Sequence, residues 1–282
     1  MLSPQGRLTH EHWGKTLFHP EEDMFISKIF EMITDAALQA KATQMKMAGK
    51  APVLDERMRQ DPANSTVTFA RTFGWAAQVL GVAPPSLYIR NDVQGGMMAV
   101  TTVPPASVAG AGVLSGFQPQ ELAFICAKHL SGYRKEHYIK YLFPTQSELT
   151  IMFFAGVLLA APNTPLPAEV AQQARAAAEQ LALYMNNDPM TIERLRQVVK
   201  MFIDQGARTN IKKWMQTVEL TAVRAGFLVC GDLNIARKIL AQEPTLPGDR
   251  TAEEKLQDLL VFATSERYFN LRRALGVQIQ TG

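Results

Sequence analysis

The residues best suited to chemistry lie between Glu121 and His137, in a stretch whose apolar residues have helical spacing. Zinc hydrolases often carry two histidines four residues apart on a helix, because this spacing brings both imidazoles to one ion, with a glutamate nearby as general base. In this chain the two residues at that spacing are Lys128 and Gly132. An ammonium repels a cation and glycine has no side chain, so the helix lacks the ligands that this chemistry requires.

His129 and His137 are the other candidate ligands in this stretch, and they are eight residues apart. On one continuous helix that separation is about 12 Å of rise. Imidazole nitrogens bind zinc at about 2.0–2.1 Å, so these two histidines cannot share an ion on such a helix. We expect His129 to be a hydrogen-bonded histidine in the core or at a former site. His137 is expected at the surface or packed against a partner.

The elements that must position these residues are mostly helices. Apolar spacing predicts a mainly α (α+β) fold, a helical domain with a small β-sheet of about three or four strands. An N-terminal helical segment, residues 1–64, precedes a helical domain that contains the small sheet, residues 65–282, and the two are expected to form one compact unit. The predicted helices and strands that matter for the site are helices at 21–48, 65–80, 118–137, 145–160 and 207–228, and strands at 86–90, 97–103 and 107–113. Gly95 and Gly96 predict a hairpin turn between the first two strands.

Composition excludes several classes of function. Apolar residues make up 47% and charged residues 20%, which indicates a folded globular chain. The net charge of +3 is small and scattered, so no nucleic-acid partner is predicted. The longest apolar run, Ile151 to Pro162, is shorter than the roughly 20 residues that span a bilayer. Without a membrane span or a signal peptide in Met1 to Thr16, a cytoplasmic location is expected.

A family resemblance rests first on the order of motifs around the candidate helix. The motif Pro85 to Ile89, which overlaps the first predicted strand, and the Gly95-Gly96 turn precede Ser107-Val108, and a helix then opens with Glu121-Leu122. This order resembles the M48-family zinc metallopeptidases of the gluzincin class, in which an HExxH motif follows on that helix. The resemblance implies that Lys128 stands at the first zinc ligand, His129 at the general base and Gly132 at the second ligand. All three positions depart from the motif.

The second half of the resemblance is the stretch 219–226. The family carries a glutamate ligand on a helix and, four residues later, an aspartate that supports the site. The resemblance implies that Glu219 is the ligand glutamate and that Val223 replaces the aspartate. The likeness covers roughly residues 69–240 in pattern. One ligand of three remains, and a single carboxylate holds a divalent ion poorly when its supporting residues are also lost.

Glu219 therefore poses a question of charge, because it lies on an apolar helix and an unpaired buried carboxylate is costly. Our hypothesis is that Lys128 replaces the metal as its countercharge, since the two residues stand at two ligand positions of one site. In the alternative, Glu219 lies at the surface and pairs at helical spacing with Lys212 or Arg224.

The sequence thus predicts a catalytically inactive metallopeptidase-like domain, without a cofactor, that serves as a protein-binding or structural module. Its partner would be another protein, of unknown identity, and the sequence does not determine the oligomeric state. One alternative is a divergent metal-dependent hydrolase that holds zinc with His129 and Glu219. A second alternative is a helical scaffold unrelated to peptidases. An aromatic-rich patch after the site helix is expected in the core or in a partner groove, and it comprises Tyr133, Tyr138, Tyr141, Leu142 and Phe143.

Overall fold

The structure is a computed structural model that describes residues 6–93, 95–185, 188–245 and 248–276. The outer ends of the two predicted units, residues 1–5 and 277–282, therefore lie outside the described residues. Helices dominate the fold and one small four-stranded mixed sheet accompanies them, which confirms the predicted mainly α (α+β) class. In the described ranges, no helix combines the length and the apolar character needed to cross a membrane.

The helices are numbered along the chain, and a π-helical turn, Trp13–Leu17, follows the first of them. Their bounds are α1 His10–His12, α2 Met24–Met47, α3 Thr68–Leu80, α4 Ala111–Leu114, α5 Pro119–Ser131, α6 Lys135–Leu142, α7 Gln146–Ala160, α8 Ala168–Met185, α9 Pro189–Asp204, α10 Ile211–Cys230, α11 Leu233–Gln242, α12 Ala252–Ala263 and α13 Glu266–Ala274.

The sheet contains β1 Arg59–Gln60, β2 Ser86–Arg90, β3 Met97–Val100 and β4 Ala106–Gly110, in the order β1-β2-β4-β3. The strand β4 runs parallel to β2 and antiparallel to β3. Because β4 lies between β2 and β3, the predicted hairpin between those two strands is wrong. A glycine pair signals a local turn but does not specify which strand becomes the neighbour. Gln94, which precedes this glycine pair, is outside the described residues.

Two hydrophobic cores fill the molecule, and α10 takes part in both. The first core contains α3, α5 and the C-terminal half of α10, with α11 to α13. The second contains α2, α6 to α9 and the N-terminal part of α10, where Trp214 and Val218 are buried. Residues 219–222 lie between these two parts of the helix. The polar residues of this middle section are therefore held where the two cores meet.

Close packing of α5 on α10 places Lys128 beside Glu219. A Cβ atom at Gly226 would lie only 2.9 Å from the Cδ2 atom of Phe124, so glycine permits the helices to approach. The prediction of one continuous helix through Lys128 and His137 is wrong, because this stretch forms two helices. The helix α5 ends at Ser131 and α6 begins at Lys135, because the chain turns at residues 132–134. This turn changes the direction of every side chain that follows it.

Candidate functional site

The carboxylate of Glu219 is the centre of the candidate site and is surrounded by lysines. The Nζ atom of Lys128 lies 2.8 Å from its Oε1 atom, which confirms the predicted ion pair. Lys140 on α6 approaches Oε2 at 3.1 Å, and Lys255 on α12 approaches Oε1 at 3.5 Å. The alternative partner, Arg224, instead binds Asp258 on α12 through two hydrogen bonds of 2.6 and 2.8 Å.

Two further carboxylates complete this network, which we call the Glu219 cluster: Lys128, Lys140, Lys255, Glu219, Glu243 and Asp249. The Nζ atom of Lys128 lies 2.5 Å from Glu243, and that of Lys255 lies 2.8 Å from Asp249. Three ammonium groups thus face three carboxylates and their formal charges balance. The side chains of Lys128 and Glu219 are only 17% and 18% exposed, so little water is present to screen them.

The electrostatics of the cluster favour the charged form of both central partners. Burial raises the pKa of Glu219, but the positive charges of Lys128, Lys140 and Lys255 outweigh burial and hold that pKa well below its ordinary value. Burial likewise lowers the pKa of Lys128, but the charges of Glu219 and Glu243 outweigh it and raise that pKa. Lys128 and Glu219 therefore both remain ionised at neutral pH.

Gly132, which the resemblance predicts at the second ligand position, has a neighbouring ring in the space where a side chain would extend. A Cβ atom at Gly132 would lie 2.5–2.6 Å from three atoms of the Tyr141 side chain. The backbone of Gly132 has an ordinary right-handed conformation, with φ of −71°, so glycine is required here for space and not for conformational freedom. The phenol of Tyr141 is held in place because its hydroxyl donates a 2.8 Å hydrogen bond to the carbonyl of His129.

The side chain of His129, which the resemblance predicts at the general-base position, is buried among hydroxyl groups. Its Nε2 atom lies 2.8 Å from the Oγ atom of Ser107 on β4, and its Nδ1 atom lies 3.4 Å from the hydroxyl of Tyr141. Tyr133 approaches the same Ser107 hydroxyl at 2.6 Å. Burial lowers the pKa of His129 to about 3, so its imidazole is neutral at physiological pH. This agrees with the expected role of a hydrogen-bonded core histidine.

A zinc ion does not fit the residues at these positions. An ammonium occupies the metal-facing side of Glu219, a tyrosine ring fills the space at Gly132, and the imidazole of His129 faces Ser107. Val223, which the resemblance predicts at the position of the supporting aspartate, is fully buried in the first core. Within the described ranges, no group of three or more His, Cys, Asp and Glu side chains could hold a metal.

A second buried charge network lies where α2, α6 and α10 meet, and we call it the Glu22 network: Glu22, Ser27, His137, Trp214 and Thr221. The Nε2 atom of His137 lies 2.8 Å from Glu22, and this histidine side chain is only 1% exposed. The prediction of a surface position for His137 is therefore wrong. The chain turn before α6 directs His137 inward, towards Glu22 at the start of α2.

Hydroxyl groups and a tryptophan complete the Glu22 network. The hydroxyl of Ser27 donates to Glu22 at 2.7 Å and receives the indole N–H of Trp214 at 2.8 Å, and Thr221 on α10 donates to Glu22 at 3.3 Å. Burial raises the pKa of Glu22, but the charge and hydrogen bond of His137, with the two hydroxyl donors, lower it below its ordinary value. The carboxylate therefore stays ionised inside the protein.

Several residues of the candidate site had no place in the sequence prediction. Lys140, Glu243 and Asp249 are far from the motif in sequence, and no local pattern marks them. Lys255 could have been recognised from the sequence, because it lies four residues before Leu259 and therefore on the same buried face of α12. A lysine on the apolar stripe of a helix indicates a buried countercharge, and it is 4% exposed.

Comparisons of the chain with protein-family models, curated proteins and solved structures gave no match. The resemblance to M48 metallopeptidases therefore stays a prediction that rests on the residues quoted for it. In the structure, α5 and α10, which carry Lys128 and Glu219, pack directly against each other.

Proposed function

We propose that this chain is a catalytically inactive metallopeptidase-like domain that serves as a structural or protein-binding module. The observation that carries the proposal is the ion pair between Lys128 and Glu219. An ammonium between two carboxylates supplies the positive charge that a metal ion supplies in a zinc peptidase. It cannot activate a water molecule as zinc does, since it has no vacant coordination position.

The surroundings of the ion pair support the same proposal. The Tyr141 ring beside Gly132 takes the space that a ligand side chain would need. A general base works best when its pKa lies near the operating pH, and the pKa of about 3 for His129 is far from neutrality. The groups around Glu219 thus stabilise a closed arrangement of charges, which suits a structural role.

The metal content of the purified chain tests the proposal against the alternative of a zinc hydrolase that uses His129 and Glu219. We expect far less than one zinc per chain by elemental analysis, and no change in thermal stability when a chelator is added. We also expect no cleavage of unfolded protein substrates with or without added zinc. Stoichiometric zinc that is lost in Glu219→Ala, together with zinc-dependent peptide hydrolysis, would overturn the proposal.

The protein-binding part of the proposal needs a separate test, because lack of metal does not show a partner. The folded full chain, immobilised through an added terminal tag, is exposed to lysate of its source cells. The same chain, unfolded by heat before immobilisation, serves as the matched control. We expect a protein that is retained only by the folded chain. Equal recovery from both columns would leave only the structural role.

A further inference from the structure

The most exposed large apolar side chains of the described residues lie close together in sequence. Val53 is 88% exposed and Met47 is 84% exposed, and they are six residues apart. Met47 lies in the last turn of α2, and Val53 lies in the connection that follows it. The turn between them is fixed, because Gly49 has a φ of 67° and the N–H of Lys50 donates a 2.8 Å hydrogen bond to the carbonyl of Met45.

Charge is distributed unevenly over the same part of the chain. Between Asp35 and Asp55 the sequence contains three lysines, Lys41, Lys46 and Lys50, and no acidic residue. Lys46 and Lys50 are exposed on either side of Met47. The stretch 41–54, which we call the α2 tip, therefore combines projecting apolar side chains with exposed positive charge.

We propose that the α2 tip is a peripheral docking site for an anionic lipid surface. Apolar side chains that project among lysines can enter the boundary between headgroups and acyl chains, while the ammonium groups remain at the anionic headgroups. This proposal is independent of the inactive-peptidase proposal, since the α2 tip contains none of the residues of the Glu219 cluster.

The composition of the α2 tip favours a lipid surface over a protein partner. Protein interfaces are enriched in aromatic residues and arginine and are depleted in lysine. The stretch 41–54 contains no aromatic residue and no arginine, and its cations are all lysines. Lysine and aliphatic side chains suit a fluid surface that offers no fixed pockets.

Vesicle sedimentation with the full chain tests the proposal. We expect the protein to pellet with phosphatidylglycerol–phosphatidylcholine vesicles and not with pure phosphatidylcholine, and the bound fraction to fall as salt rises. Reversal of charge in Lys46→Glu with Lys50→Glu should lower the affinity at least tenfold, because each lysine near an anionic surface contributes about fivefold. The matched control Arg194→Glu with Lys200→Glu alters two exposed cations of α9 and should leave binding unchanged.

A fluorescent label reports which surface touches the lipid. The two native cysteines are buried, so a cysteine introduced as Val53→Cys can be labelled selectively with a solvatochromic dye. We expect a blue shift on anionic vesicles at position 53 and none for Met190→Cys, a control that is 67% exposed on α9. Absence of binding, equal shifts at both positions, or capture of an acidic protein at the α2 tip without vesicle binding would each overturn the proposal.

Discussion

Glu219 lies on α10 and Glu22 contacts the same helix, but different groups surround the two carboxylates. Glu219 faces three lysines that come from α5, α6 and α12. Glu22 faces one histidine and two hydroxyl groups, and its side chain has no exposed surface. The Glu219 cluster is thus a network of three ammonium groups and three carboxylates that keeps some exposure to solvent, whereas the Glu22 network contains one carboxylate and is closed to solvent at Glu22 and His137.

The difference shows which of the two sites tolerates change. Loss of one lysine from the Glu219 cluster leaves two other ammonium groups near the carboxylate. The Glu22 network has no substitute for His137, so each partner depends on the other. This contrast predicts unequal costs for similar substitutions at the two sites.

The largest effect is expected for Glu22→Ala. This substitution leaves His137, Ser27 and Thr221 buried without their shared acceptor, and removal of one partner of a buried pair costs about 3–5 kcal/mol. The free energy of unfolding in urea measures the loss. The matched control is the adjacent Glu21→Ala, which removes an exposed pair with Lys213 and should cost less than about 1 kcal/mol. Similar small losses for both variants would contradict the contrast.

A somewhat smaller loss is expected for Glu219→Gln, about 3 kcal/mol, because three lysines lose their shared carboxylate and two other carboxylates remain close to them. Since the side chains of Lys128 and Glu219 are 17% and 18% exposed, against 1% and 0% for those of His137 and Glu22, high salt should reduce this loss, whereas salt should not change the loss in Glu22→Ala. Urea unfolding at low and high salt makes the comparison. An identical salt response at the two sites would show that they do not differ in solvent access.

The substitution Gly132→Ala tests the packing of Tyr141 beside the Glu219 cluster. The new methyl group would meet the ring of Tyr141, and such overpacking costs about 2 kcal/mol. In a Tyr141→Leu background the added cost should fall, and a double-mutant cycle measures that coupling. Gly14→Ala is the control, because a Cβ there has no neighbour within 4 Å. Equal costs in both tyrosine backgrounds would show that the ring does not fill this space.

The smallest effect is a dependence on pH between 7 and 5.5. The pKa values of Glu22 and Glu219 are lowered, so neither carboxylate takes up a proton in this window. His129 differs, because its pKa falls to about 3 in the folded state and the unfolded chain binds the proton first. Stability is therefore lost as pH falls, by about 1 kcal/mol over this window.

The contribution of His129 can be isolated by comparing the wild type with His129→Gln. The variant should lose less stability than the wild type between pH 7 and 5.5, in urea unfolding at each pH. Parallel pH profiles for the two proteins would show that His129 is not held neutral by burial.

Part of the fold could be predicted because the sequence encodes it locally. Apolar periodicity located α2, α3, α7 and α10 within a few residues, and Gly81 ends α3 with a φ of 62° as expected of a helix C-terminus. The order of the strands could not be predicted in this way. The strand β1 has only two residues and no pattern of its own, and β4 inserts between β2 and β3 through long-range pairing.

The candidate site was predictable only along its own helices. The pair of Lys128 and Glu219 was predicted because the resemblance places both residues at ligand positions of one site, where the carboxylate of Glu219 needs a countercharge. The side chains of Tyr141 and Lys140 lie on α6, after a chain turn that begins at Gly132. Helical periodicity had predicted a continuous helix through this turn. The sequence alone does not distinguish a glycine that ends a helix from a glycine that leaves space for a neighbouring side chain.

The central claim is that Lys128 is the countercharge of Glu219, and a double-mutant cycle tests it most directly. The free energy of unfolding is measured for the wild type, Lys128→Met, Glu219→Gln and the double variant. A direct ion pair with little solvent around it predicts a coupling energy of about 1–3 kcal/mol between the two sites. Additive losses within about 0.5 kcal/mol would contradict the account, because they would show that the two charges do not stabilise each other.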